Sequence, residues 1–137
     1  MSNFDEYFTG GCSISLKNVV YKKLAEIEAD VSLNVKDNLD IHKEGSDNIE
    51  LIISRNLSFT PYSMVDIDVS FSVFLELNDK YKGDKQLDYT LIKKEILNKD
   101  SVIMSIIMSR ISLLISQLTS SYGERPIITP PSFMTSK

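Results

Sequence analysis

The sequence predicts an α+β domain: a roughly four-stranded antiparallel sheet followed by a short helix and a long C-terminal helix, both packed on one face of it. Three observations support this class. Apolar and polar residues alternate with a period of two in several stretches between residues 13 and 77, as in half-buried strands. A polar segment at 78–84 containing Gly83 ends the alternation, and helical spacing takes over after it. Strands first and helices last is the order of an α+β fold rather than of βαβ repeats. With 137 residues the chain is one domain in size and long enough to bury a core. Residues 1–137 are therefore read as a single domain, with a flexible lead at 1–11 and a short tail at 134–137.

The earliest strand is expected over 13–24. Ile14 and Leu16 share one phase while Val19 and Tyr21 share the other, which predicts a bulge near Asn18. A second alternation covers 25–36, where Ala25, Ile27, Ala29, Val31, Leu33 and Val35 oppose Glu26, Glu28, Asp30, Ser32, Asn34 and Lys36. A third puts Ile49, Leu51, Ile53, Leu57 and Phe59 on one face, with Arg55 as the one interruption. The cleanest covers 65–77: Val65, Ile67, Val69, Phe71, Val73, Leu75 and Leu77 alternate with Asp66, Asp68, Ser70, Ser72 and Glu76. The connections Lys43-Glu-Gly-Ser-Asp-Asn48 and Thr60-Pro61-Tyr62-Ser63 are short and polar, and short connections favour antiparallel neighbours.

Residues 87–97 read as a modest helix, with Leu87, Leu91 and Ile96 inward and Lys93, Lys94 and Glu95 outward. Asp100 or Ser101 is placed to cap a second helix over 101–122, which stops at Gly123, a residue that takes the left-handed C′ conformation at no steric cost. Ile103, Ile107, Ile111, Leu114 and Leu118 form a ridge expected to bury against the sheet. Ser101, Ser105, Ser109, Ser112, Ser116 and Ser120 form a second line, either a solvated face or a strip of small side chains that lets a helix of another subunit approach. The stretch 102–118 is apolar, but Arg110 inside a membrane span would cost about 2.5–3.5 kcal/mol. The serines also divide it into pieces too short to cross a bilayer. A buried helix is expected, not membrane insertion.

Hydrophobic residues make up 42% of the chain and charged residues 25%, ordinary values for a globular protein. A net charge of −4, with no cluster of Lys and Arg, argues against a nucleic-acid binder. The single cysteine, Cys12, leaves no internal disulfide, and Met1-Ser-Asn-Phe-Asp-Glu is acidic where a signal peptide needs a basic start. The expected location is cytoplasmic.

Catalytic chemistry is hard to assemble from these residues. His42, the only histidine, lies beside Lys43 and Glu44 at the end of a strand and reads as a surface residue rather than a general base or ligand. One His and one Cys cannot build a Cys/His zinc site. Gly10-Gly11 lacks the strand before it and the Lys-Ser/Thr after it that a phosphate loop needs. The serines lack a base other than His42 or a lysine. Cys12 has only Lys17 nearby to lower its pKa and reads as structural. No cofactor or metal is expected, and the chain is read as a non-enzyme. Asp66 and Asp68 share a strand face; if the strands at 25–36 and 65–77 share a sheet, Glu26, Glu28 and Asp30 join them in an acidic face suited to a basic partner.

The C-terminus carries a family pattern. Ile115-Ser-Gln-Leu-Thr-Ser-Ser-Tyr-Gly123, followed by Pro126, Pro130-Pro131 and Phe133, resembles the C-terminal part of SecB-like protein-export chaperones, and Val69-Ser-Phe71-Ser-Val-Phe74 is similar to their third long strand. The resemblance implies the fold read above over nearly the whole chain, self-assembly as a dimer or dimer of dimers, and ATP-independent holding of unfolded or partly folded clients in apolar surface grooves. Two departures mark a divergent member. Ser109-Arg110-Ile111-Ser112 stands where the family has Pro-Tyr-x-Arg, and only Met-Thr-Ser-Lys follows Phe133, where the export chaperone has an extension that engages a translocase motor. A chaperone dedicated to a toxin–antitoxin client, or encoded by a mobile element, is thus expected alongside an export chaperone, with the motor as a weaker partner. The residues placed to touch clients are Tyr62, Phe74, Tyr81, Tyr122, Ile127, Ile128 and Phe133; Phe74 has the outward phase, where an aromatic is more telling than in the core. The alternative is a non-catalytic adaptor or structural subunit of the same fold that binds one specific protein.

Overall fold

A computed structural model describes residues 4–24, 32–60, 65–83, 87–98, 101–121 and 126–134. A single helical turn, α1 (Phe4–Tyr7), leads into β1 (Phe8–Lys23), and β2 (Ser32–Glu44), β3 (Asn48–Thr60) and β4 (Val65–Leu77) follow. The four strands form one antiparallel sheet in the order β1-β4-β3-β2. A short 3-10 turn (Asp79–Tyr81) precedes α2 (Tyr89–Ile96) and α3 (Val102–Ser121). The expected class, α+β with two C-terminal helices behind a four-stranded sheet, is what the chain adopts.

Particular strands differ from expectation in instructive ways. The bulge near Asn18 is present: Leu16 pairs with Phe71 and Asn18 with Ser70, which leaves Lys17 as the extra residue. β1 begins at Phe8 rather than near residue 13, because a second register shift between Phe8 and Cys12 hides the alternation. Gly10, at φ 99°, supplies the backbone conformation that lets the strand resume. The lead at 1–11 is therefore partly inside the fold, and Phe8 is buried.

The alternation at 25–31 lies outside the described residues. The strand that follows it instead continues to Glu44, because Val35, Asp37, Leu39 and Ile41 keep one inward phase opposite Leu57, Arg55, Ile53 and Leu51. Arg55 is thus no interruption. It stays in phase, fully buried, paired directly with Asp37. A three-residue turn at 45–47 closes the β2–β3 hairpin, with Gly45 at φ 67°.

The core lies between the inward face of the sheet and the helices. Every second residue of β4 from Val65 to Leu77 is buried, as are Ile49, Leu51, Ile53 and Leu57 of β3. Asp88 caps α2, its Oδ1 accepting from the Thr90 and Leu91 N–H groups at 3.1 and 3.2 Å. Ile92 and Ile96 of α2 are buried, whereas Leu91, expected inward, is 49% exposed. Ser101 caps α3, accepting from the Met104 N–H at 3.3 Å.

The buried face of α3 is Met104, Ile107, Met108, Ile111, Ile115 and Thr119, and Ile103, Leu114 and Leu118 are only half-buried. The expected ridge is therefore turned by about one residue. α3 is apolar on most sides, so spacing alone does not select a face. By length and composition α3 is long and apolar enough to cross a membrane; here its Met104, Ile107, Met108, Ile111 and Ile115 pack into the core over the sheet.

Candidate functional site

The segment after α3 binds back onto the domain through a buried ion pair. Thr129 and Pro130 each precede a proline, which favours extended backbone, and Pro130 and Pro131 have no N–H to leave unpaired when covered. Arg55 receives this segment from the sheet side. Its Nε and Nη2 donate to the two oxygens of Asp37, both at 2.7 Å. Nη1 donates to Thr129 Oγ1 at 2.9 Å and to the Pro130 carbonyl at 2.6 Å, and Nη2 donates to the Ser132 carbonyl at 2.9 Å. All the N–H donors of the guanidinium are thereby used. Asp37 also accepts the Met134 N–H at 2.7 Å. Both side chains of the pair are 0% exposed, a burial that charges tolerate only when their hydrogen bonds are complete.

Helix α3 holds the same segment from the other side. Thr119 Oγ1 accepts the Ile127 N–H at 2.9 Å while bonding back to the Ile115 carbonyl, and Ser112 Oγ donates to the Thr129 carbonyl at 2.7 Å. Two of the serines read as one line on the helix thus have different roles: Ser112 grips the tail, and Ser101 is a cap.

A cleft of about 240 Å³ opens between the tail and the α2–α3 junction. It is lined by Leu97 and Asn98 after α2, by Ser101, Met104 and Ser105 at the start of α3, and by Pro131, Ser132 and Phe133 of the tail. Its lining mixes apolar side chains (Leu97, Met104, Pro131, Phe133) with hydroxyl and amide groups (Ser101, Ser105, Ser132, Asn98). The volume lies below the roughly 300–1,000 Å³ of small-molecule sites. It suits one or two side chains of a polypeptide, and a methionine in the lining lets it adapt to different shapes.

The residues expected to touch clients are dispersed. Ile127, Ile128 and Phe133 lie on the tail: Ile127 is half-buried on the core, Ile128 is 73% exposed, and Phe133 forms part of the cleft. Phe74 points outward from β4 as its phase predicts, half-buried, opposite Ser13 and Glu50 on the other side of the sheet. Tyr81 packs on Tyr7 with ring centroids 5.0 Å apart and donates to Glu6 at 3.2 Å, so it fastens the N-terminal turn. Tyr62 and Tyr122 lie outside the described residues.

Of the expected acidic face, Glu26, Glu28 and Asp30 also lie outside the described residues. Asp66 and Asp68 are on the outer face, where Asn56 Nδ2 donates to both, at 3.2 and 3.0 Å, and Lys22 stands opposite Asp66 in the pairing. β3 separates β2 from β4 in the sheet.

Among the described residues no group of His, Cys, Asp and Glu could hold a metal ion. His42 is exposed on β2 opposite Glu50. Cys12 is exposed on the edge strand, but partial desolvation pushes its thiol up from the ordinary value, and the Arg110 charge only opposes this. Cys12 should therefore react with iodoacetamide at pH 7.5 more slowly than free cysteine and gain rate as pH rises. A faster reaction than free cysteine would contradict the environment described.

Sequence reasoning missed Asp37, Leu97, Met104 and the role of Arg55. The available signal was charge in the inward phase of two adjacent strands: Asp37 between Val35 and Leu39, and Arg55 between Ile53 and Leu57.

The backbone superposes on the SecB-like chaperone Rv1957 of Mycobacterium tuberculosis, solved in complex with a ChAD peptide from the Rv1956 HigA1 antitoxin. The TM-score is 0.64, with 11% identity, over 86% of this chain and 83% of that one. This chain has the SecB-like fold. No family model matches the sequence, and no curated protein matches it. The low identity agrees with a divergent version of the SecB-like fold, as Ser109-Arg110-Ile111-Ser112 already indicated.

Proposed function

We propose that this chain is an ATP-independent holdase of SecB-like fold that binds non-native polypeptides, with the cleft beside Phe133 as an anchor point for client side chains. The observation that carries this reading is the cleft: a mixed apolar and polar lining, sized for polypeptide side chains, on a fold whose solved neighbour is a chaperone holding an antitoxin peptide. Affinity would come from apolar area removed from water, about 25 cal/mol per Å² before ordering costs. The lining hydroxyls and Asn98 would meet client backbone. That neighbour favours a dedicated antitoxin-type client over general export, and the cytoplasm is the proposed place of action.

The unpartnered side of α3 supports self-assembly. Val102, Ile106 and Leu113 are exposed along one stripe, with Ser105 and Ser109 between them. On the sheet face that α3 covers, edge strand β1 leaves Leu16 half exposed. A second copy placed against this stripe would bury apolar surface, and the small serines permit close approach. Mass measurement in solution should give a dimer or tetramer, shifted towards monomer by Leu113→Asp; a monomeric wild type would contradict the assembly.

Suppression of aggregation tests the holdase reading. Wild-type protein at a few-fold excess should keep a chemically unfolded client from scattering light, and Phe133→Ala should weaken this about tenfold in the concentration needed. Phe74→Asp probes the opposite sheet face, and a larger loss there than at Phe133 would move the client site to that face. No suppression by the wild type would sink the proposal; capture of a single folded partner instead would favour the adaptor.

A further inference from the structure

We infer that Arg55 and Asp37 are positioning residues for the cleft: acting through the tail backbone, they fix the side chains against which a client residue packs. The inference rests on the cleft being the client site. Neither residue lines the cleft. Their contacts fall on both sides of the tail residues that do. The Pro130 and Ser132 carbonyls, which accept from Arg55 at 2.6 and 2.9 Å, bracket Pro131. The Ser132 carbonyl and the Met134 N–H, which donates to Asp37 at 2.7 Å, bracket Phe133.

Apolar contact alone would let an extended segment slide, because area is indifferent to register. The guanidinium fork is not: its donors leave in fixed, coplanar directions, so a shift of the tail by one residue would present no carbonyl where Nη1 and Nη2 point. A one-residue slip would also displace Pro131 and Phe133 from the positions in which they line the cleft. Ser112, bonded to the Thr129 carbonyl at 2.7 Å, ties the same register to α3, whose Met104 and Ser105 also line the cleft. The pair therefore sets the width of the cleft and the direction of the Phe133 ring, and with them which client side chains fit.

Two readouts test this. The chain has no tryptophan, so Phe133→Trp reports the cleft wall directly by its indole emission. Arg55→Met combined with Asp37→Leu removes both charges and avoids leaving one buried alone. The combined change should shift the indole emission of the Phe133→Trp protein to longer wavelength. In the Phe133 background it should weaken binding of a reduced, carboxymethylated, permanently unfolded protein about tenfold. Adding Phe133→Ala to it should cost less than about twofold more, because the pair acts through that ring and coupled residues are not additive.

If the combined variant does not fold, Arg55→Lys keeps the buried charge without the fork and should move both readouts the same way. Unshifted indole emission overturns the inference, and so do fully additive binding losses, which mark a merely structural role. If the wild type binds no unfolded chain while the emission still shifts, the client reading fails and the register-setting role stands on the emission.

Discussion

Replacing Arg55 with methionine should lower the free energy of unfolding by about 3–5 kcal/mol, out of a total that for single domains is about 5–15 kcal/mol. The cause is what remains behind. Asp37 would keep a side chain 0% exposed without its bidentate partner, and Thr129, Pro130 and Ser132 would lose their donor. Asp37→Ala should cost a similar amount by stranding the guanidinium. Removing both charges together should cost less than either single change, since a buried pair gives little net stability over apolar replacements. Urea unfolding of the three variants gives the comparison; an Arg55→Met loss below about 1 kcal/mol would show that water reaches the pair.

The second large effect distinguishes the faces of α3. Ile115 is fully buried, and Ile115→Ala should cost about 2–5 kcal/mol, the range for truncating a core aliphatic residue. Leu118, at the end of the ridge that spacing alone suggests, is half-buried and should cost clearly less when truncated. The reverse order in a denaturant series would mean that α3 packs with the face read from its periodicity. Thr119→Val belongs to the same series. It keeps the volume but removes the hydroxyl that accepts the Ile127 N–H, so it should release the start of the tail at a cost of about 1–3 kcal/mol.

The legible parts of the fold were those with one polar face and one apolar face. β4 and β3 alternate because the sheet has a solvated side and a covered side, and the bulge at Lys17 shows as a phase change between Leu16 and Val19. α3 was legible as a helix but not in its orientation, because an element apolar all round offers spacing without contrast. The continuation of β2 beyond residue 36 was missed because its inward phase contains Asp37, whose charge reads as outward until Arg55 is seen opposite it. The site was less legible still. The terminal pattern singles out Phe133, which lines the cleft, and Ile127, which does not, but the cleft is made by residues far apart in sequence, Leu97 and Met104 with Pro131 and Phe133. Only the folded tail brings them together, and the clamp that holds the tail is a pair of charges where periodicity predicts apolar side chains.

The central claim is that this chain recognises polypeptide that has not folded, and the most direct measurement compares one protein in two states. Fluorescence anisotropy should be recorded for a labelled protein in its native form and again after reduction and carboxymethylation have left it permanently unfolded. Saturable binding of the unfolded form, weakened by Phe133→Ala, with no binding of the native form, is the predicted result. Binding of neither form, or equal binding of both, would contradict it.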